Sequence, residues 1–276
     1  MRKLFTIIML FVTLPAAWAG EAGTIYSELT FVDVASGQEA AFRQQAVEVI
    51  KPLAQQRIDD GDLFVWALYR VAYGAADYDH VLIRQAIKAS ALEPVTPIPE
   101  ELWRSVHGRK DQARTLEALG SIATVRERTL YALAQFHTNL GQRDRPWLTT
   151  AYVRTRPGSG DAFDTQMDMT WKPVLANWVA EGPAAAFSRY KVAQPTPGGH
   201  WHDQVLVTQY SSFGDLLPND SLRAAFAAAH PDGDVVAAEA AFRETAEVVR
   251  TEGWQLLELA TRRPPPPAPA EGDASP

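Results

Sequence analysis

What most constrains this chain is that it resembles itself. A shift of 121 positions aligns Val32 with Val153, Gly37 with Gly158, Ala41-Phe42 with Ala162-Phe163, Lys51-Pro52 with Lys172-Pro173, Gly61 with Gly182 and Tyr69 with Tyr190, without a gap. Three extra residues in the second copy, in the Pro/Gly-rich stretch 193–199, then change the shift to 124. Asp79 now meets Asp203, Gln85 meets Gln209, Pro94 meets Pro218, Arg126 meets Arg250 and Leu133 meets Leu257. A loop is where a repeat tolerates insertion. The sequence therefore predicts two copies of one α+β unit, 20–142 and 143–262.

Each copy gives the same structural reading. Segments 25–34 and 148–156 are β-branched, alternate in polarity and end near a glycine, as a strand does. Residues 38–59 and 161–181 carry apolar residues at helical spacing, with Pro52 and Pro173 inside, where each is expected to kink the helix. Two strands follow, at 63–73 and 78–87 and again at 184–192 and 203–211. Helical pieces then begin near Pro99 and Pro218. Segments 125–136 and 249–260 read as closing strands, a continuing helix being the alternative. The fold class is thus α+β, with the order β-α-β-β-α-β twice, the ferredoxin-like pattern.

The termini read differently. Arg2-Lys3, an apolar run over 4–14 and Ala17-Trp18-Ala19 form the three parts of a signal peptide, with cleavage expected after Ala19. About eleven apolar residues are too few to span a bilayer. Export to the periplasm or outside is the expected localisation, with no membrane attachment after cleavage. There is no cysteine, which excludes disulfides, thiolate metal sites and a cysteine lipid anchor. Loss of Arg2 and Lys3 takes the formal charge from −7 to −9. With no basic stripe to interrupt it, this charge argues against a nucleic-acid partner. The proline-rich end, 263–276, reads as a disordered tail.

The pattern of strand, Pro157-Gly158, helix beginning near Phe163, glycine, strand and closing Arg250-x-Glu252-x-Trp254-x-Leu256 resembles the dimeric α+β barrel superfamily, which includes the antibiotic-biosynthesis-type monooxygenases and the NIPSNAP-like and EthD-like proteins. The resemblance covers almost all of the mature chain. It implies that the two units form within one chain, as a monomer, the barrel that relatives make by dimerising, and that the interior binds flat or apolar ligands.

No Gly-rich phosphate loop, H-E-x-x-H, G-x-S-x-G or cysteine nucleophile is present. The candidates are polar residues that both copies keep or that one copy gains. His200 and His202 would share a strand face and could reach one metal, but two imidazoles are one ligand short, and the preferred reading is two polar loop-edge histidines with no metal. Arg250 needs an anionic or carbonyl partner, either a ligand or an ion pair with Glu252 or Asp203. Glu252 and Trp254 alternate on the face of Arg250. Gln209 matches Gln85 in mid-strand. Tyr69 and Tyr190 lie on one face of the second strand and Trp66 on the other, one of which lines the barrel.

The expected ligand-binding set is therefore Arg250, Glu252, Trp254, Gln209, His202, Tyr190, Tyr69 and Trp66, concentrated in the second copy. No cofactor is assigned. Three functions stay open: a non-catalytic small-molecule binder, a cofactor-independent monooxygenase-like enzyme whose substrate itself activates oxygen, and a haem or metal protein using His200 or His202.

Overall fold

The computed structural model describes residues 24–93, 98–139, 145–194, 201–216 and 220–262. The leader, the tail, Pro94, Pro218 and His200 lie outside them. The alternating segment Tyr26–Val34 is β1; the helical spacing that follows gives α1 (Glu39–Gln45) and α2 (Lys51–Asp59). Next come β2 (Val65–Tyr73), β3 (His80–Ala86), α3 (Glu100–His107), α4 (Gln112–Ile122) and β4 (Ala123–Thr138). The second half runs β5 (Trp147–Thr155), α5 (Gly160–Gln166), α6 (Lys172–Glu181), β6 (Ala184–Gln194), β7 (Gln204–Tyr210), α7 (Ser221–Ala229), α8 (Val235–Thr245) and β8 (Ala246–Thr261). The closing segment of each half is a strand, not a helix.

The eight strands close into an antiparallel barrel in the order β1-β3-β2-β8-β5-β7-β6-β4. Closure leaves no edge strand among the described residues, and two of its seams, β2–β8 and β4–β6, join one half to the other. The barrel interior is one core, including Leu29, Phe31, Val81, Tyr152 and Val205. Helices cover its outer face. In the first half Phe42, Ala46 and Ile58 pack against Trp66 and Leu68; in the second Phe163, Met167 and Val179 pack against Phe187 and Tyr210. Truncating one of these aromatic side chains to alanine removes about 3–5 kcal/mol. Gly37 and Gly158 turn the chain from strand to helix at φ +76° and +79°, a region where a Cβ is strained.

Pro52 and Pro173 do not act as simple breaks. A turn of π-helix stands before each, Ala46–Ile50 and Met167–Trp171, and the prolines fall at the first positions of α2 and α6. There their missing N–H costs little, and the wider turn absorbs the change in hydrogen-bond register.

Strand pairing corrects the alignment of the closing strands. Val32 faces Val125 and Phe31 faces Glu127 across a bulge; Val153 faces Val248 and Tyr152 faces Arg250 across its equivalent. The true shift there is 123. It is already 123 in α4 and α8, whose N-caps Asp111 and Asp234 both accept backbone N–H bonds. Arg250 therefore corresponds to Glu127, Glu252 to Thr129 and Trp254 to Tyr131. A slip of one residue exchanges the two faces of a strand. Arg126 accordingly lies outside, half exposed and paired with Asp33.

One contact across the halves has a pH signature. Glu258 of β8 holds Arg43 at 2.9 Å and Lys51 at 3.0 Å, both from the first half's helices. Burial raises its carboxyl, but the two cations outweigh burial and bring it below its ordinary 4.5. Asp164 is likewise lowered against burial by Lys191 and Arg189. A carboxyl with a depressed folded pKa stabilises the fold above its unfolded pKa and loses that contribution as pH falls through the folded one. Stability is expected to drop as pH falls below about 4.5, and less steeply in Glu258→Gln, as measured by urea unfolding across pH 3–7.

Candidate functional site

At one end of the barrel interior three strands, β4, β5 and β8, and the segments leading into β3 and β7 bring polar groups together. Arg250, Glu252 and Trp254 alternate along β8 and all point inward. The backbone between the last two is bare: a Cβ on Gly253 would stand 1.7 Å from the Tyr73 ring, so the close approach of Tyr73 requires glycine. Glu252 is fully buried. Its carboxylate accepts from the Tyr78 hydroxyl at 2.6 Å and from Trp254 Nε1 at 2.8 Å. Arg250 Nε lies 2.8 Å away as its counter-ion. Arg250 Nη2 also donates to the Tyr78 hydroxyl at 2.9 Å, and its guanidinium lies 4.2 Å from the centre of the Trp201 ring and 4.6 Å from that of Tyr152. Cation–π contacts of this kind suit a partly desolvated arginine.

The electrostatics follow from burial. It pushes the Tyr78 phenol far above its ordinary range, the neighbouring Glu252 carboxylate adding to it, and likewise raises Tyr131 and Tyr152. These phenols stay protonated. Burial works against the charge on Arg250, but Tyr78, Glu252 and Tyr152 more than offset it. His202 joins from the side: Tyr131's hydroxyl is 2.9 Å from its Nε2, and its ring meets Tyr152 edge-on at 4.9 Å.

Arg250, Glu252 and Trp254 thus converge, with His202 beside them. Their convergence is a filled, hydrogen-bonded network rather than a cleft. Sequence reasoning missed Tyr78, Tyr152, Tyr131 and Trp201. The signals were present: Tyr152 stands where the first half has Phe31, and Tyr78 stands where the second half has His202. Asp203, offered as a partner for Arg250, instead accepts the Thr155 backbone N–H at 2.9 Å, as Asp79 does for Val34.

Tyr69, Tyr190, Gln209 and Trp254 line a chamber of about 170 Å³ further along the barrel. Trp66 does not belong with them. Residues 65, 67 and 69 of β2 point inward, so the pleat sends Trp66 out into the helix-covered core.

A larger cavity of about 700 Å³ lies outside the barrel, between the sheet and helices of the second half. Trp171, Trp178, Phe187, Tyr210 and Phe242 wall it. The equivalent space in the first half is about 370 Å³. There Glu28 and Arg84 form a 2.7 Å ion pair within the wall, and Arg57 stands beside them. At the matching positions the second half has Thr149, Thr208 and Trp178. Short side chains and an indole replace two arginines and a glutamate, which leaves the space open.

A haem or metal at His202 does not fit: the imidazole is 1% exposed and enclosed by Tyr131, Tyr152 and Trp201. Among the described residues no three His, Cys, Asp or Glu side chains stand together to hold a metal ion, and no helix is long and apolar enough to cross a membrane.

No protein-family model matches the sequence, and no curated protein matches it. Solved structures do. An anthrone oxidase-like protein superposes with a TM-score of 0.51 at 16% identity, over 87% of this chain and 94% of that one. A candidate monooxygenase from Fusobacterium nucleatum gives 0.56 at 10%, over 88% and 96%. A mutant chlorite dismutase from Candidatus Nitrospira defluvii gives 0.51 at 10%, over 88% and 94%. The chain has the dimeric α+β barrel fold.

Proposed function

We propose that this protein binds a flat, largely apolar small molecule in the cavity between the helices and the sheet of its second half. The observation that carries this is the contrast between equivalent spaces: one narrowed to about 370 Å³ with an ion pair in its wall, the other open to about 700 Å³ and lined with aromatic rings. Two polar features complement such a ligand. Trp171 Nε1 is buried with no acceptor among the described residues. At the rim, the exposed guanidinium of Arg156 has no carboxylate partner among them, its one bond being from Nε to the Arg243 carbonyl at 3.0 Å. A ligand with a flat apolar body and one or two oxygen acceptors would use both. The test is titration with anthraquinone, followed by quenching of tryptophan emission; saturable quenching at 1:1 supports the reading, and no response up to the solubility limit overturns it.

The second reading is oxygenation in the same cavity without a cofactor, favoured by the fold shared with an anthrone oxidase-like protein and a candidate monooxygenase. Here the chain would orient an electron-rich substrate that reacts directly with oxygen. With anthrone the balance is anthrone plus O₂ giving anthraquinone plus water. Oxygen uptake above the uncatalysed rate separates this reading from simple binding.

The accompanying biology follows from the sequence. We infer export after cleavage behind Ala19, and descent from one ferredoxin-like unit by tandem duplication, with the NIPSNAP-like and EthD-like proteins among the relatives. Such a chain needs no partner subunit, because both halves of its barrel are already present. Light scattering should give one chain per particle, whereas residues 20–142 alone, with β2 and β4 unpaired at their outer edges, should self-pair or aggregate.

A further inference from the structure

The chamber inside the barrel lies on the opposite face of the sheet from the aromatic cavity, and the two halves furnish it unequally. Gln85 Nε2 donates to Ser27 Oγ at 2.9 Å and lies 3.2 Å from the Tyr190 hydroxyl. By strand pairing, Gln209 corresponds to Gln85, Leu148 to Ser27 and Tyr69 to Tyr190. In the second set the serine hydroxyl has become a leucine, and neither the Gln209 amide nor the Tyr69 hydroxyl has a hydrogen-bond partner among the described residues. Both line the chamber, and Tyr69 is 7% exposed. Gln209 is part buried, and an unpaired hydroxyl and amide on the wall of such a chamber offer a donor and a donor/acceptor to a molecule lying in it.

Most of the remaining wall is apolar, with Val205, Val207 and Trp254 among its residues beside the polar Ser188 and Thr261, and a cavity of comparable volume, about 150 Å³, is large enough for benzene. Among the described residues the one cation lining it, Arg145, donates to the Asn139 carbonyl at 2.6 Å. We infer that the barrel interior is a second small-molecule site, taking a neutral single-ring or similarly sized molecule with one hydroxyl or carbonyl oxygen, bonded by Tyr69 and Gln209. The phenol group of Tyr69 donates. The Gln209 amide donates or accepts as the ligand's oxygen requires. This inference does not rest on ligand binding in the aromatic cavity.

The test is calorimetric titration of the full chain with phenol, and with toluene as the analogue lacking the oxygen. Phenol is expected to bind at 1:1 and more tightly than toluene. In Tyr69→Phe/Gln209→Leu, phenol affinity should fall about tenfold to a hundredfold while toluene affinity changes less than about threefold, since two neutral hydrogen bonds are removed and the apolar wall is kept. Those substitutions delete groups without protein partners, so the melting temperature should hold. Ala67→Leu, which fills the chamber, should remove both ligands. Phenol should still bind when the aromatic cavity is blocked by Thr149→Glu/Thr208→Arg. The inference is overturned if the wild type binds no phenol at millimolar concentration, if the double variant binds phenol as the wild type does, or if blocking the outer cavity abolishes the response.

Discussion

Glu252→Ala is expected to cost about 3–5 kcal/mol of stability, because it removes one partner of a buried ion pair and leaves the other charge without a counter-ion. In a chain of this size that corresponds to a melting temperature roughly 10 °C lower. The reasoning is local. Glu252 has no exposure, and Arg250's side chain retains only 20% of its surface, so water cannot replace the lost carboxylate. The Tyr78 hydroxyl and Trp254 Nε1 lose an acceptor at the same time. Glu252→Gln should be milder, keeping an acceptor but not the charge. Arg126→Ala is the control: its pair with Asp33 is half exposed, and such pairs contribute less than about 1 kcal/mol. Urea and thermal unfolding of the three variants check this. Equal effects for Glu252→Ala and Arg126→Ala would mean that the network has no special weight.

That pair of arginines also shows how far the sequence could be read. Strands and helices were legible because their spacing is imposed by burial on one face, and the recurrence of Gly37 at Gly158 and of Asp79 at Asp203 marks backbone positions that both halves need. The register of the closing strand was not legible. A one-residue difference that enters before α3, where His107 and His230, at a shift of 123, bond the equivalent carbonyls of Val49 and Thr170, is invisible when Arg126 and Arg250 happen to align, yet it turns an inward residue into an outward one. That Arg250, Glu252 and Trp254 share one face was readable from alternation along one strand. Their partners were not, since Tyr78 and Tyr152 come from elements far away in the chain and meet only when the barrel closes. The aromatic cavity was missed for a related reason: an empty space is defined by what is short, and threonines at 149 and 208 signal nothing until Glu28 and Arg84 are seen filling the matching volume.

That equivalence supplies the strongest test of the proposed ligand site. Placing the first half's ion pair in the second, as Thr149→Glu/Thr208→Arg, should close the cavity without breaking the fold. In the first half Arg84 holds Glu28 at 2.7 Å and also donates to the Leu92 carbonyl at 2.7 Å; the residue matching Leu92 is Leu216. The transplanted arginine would therefore find both a carboxylate and a backbone acceptor. Anthraquinone affinity is expected to fall about 100-fold or more, because the volume for its rings is gone and the wall carries charge. Thr149→Glu alone should be the least stable of the set, down by several kcal/mol, since it buries a carboxylate with no cation opposite. Adding Thr208→Arg should recover most of that loss, giving a coupling energy in the double-mutant cycle of about 1–3 kcal/mol. Unchanged anthraquinone binding in the double variant would remove the cavity as the site. Positions 149 and 208 face one another across β5 and β7 as 28 and 84 do across β1 and β3, so stability no better in the double variant than in Thr149→Glu would show that the transplanted ion pair does not form.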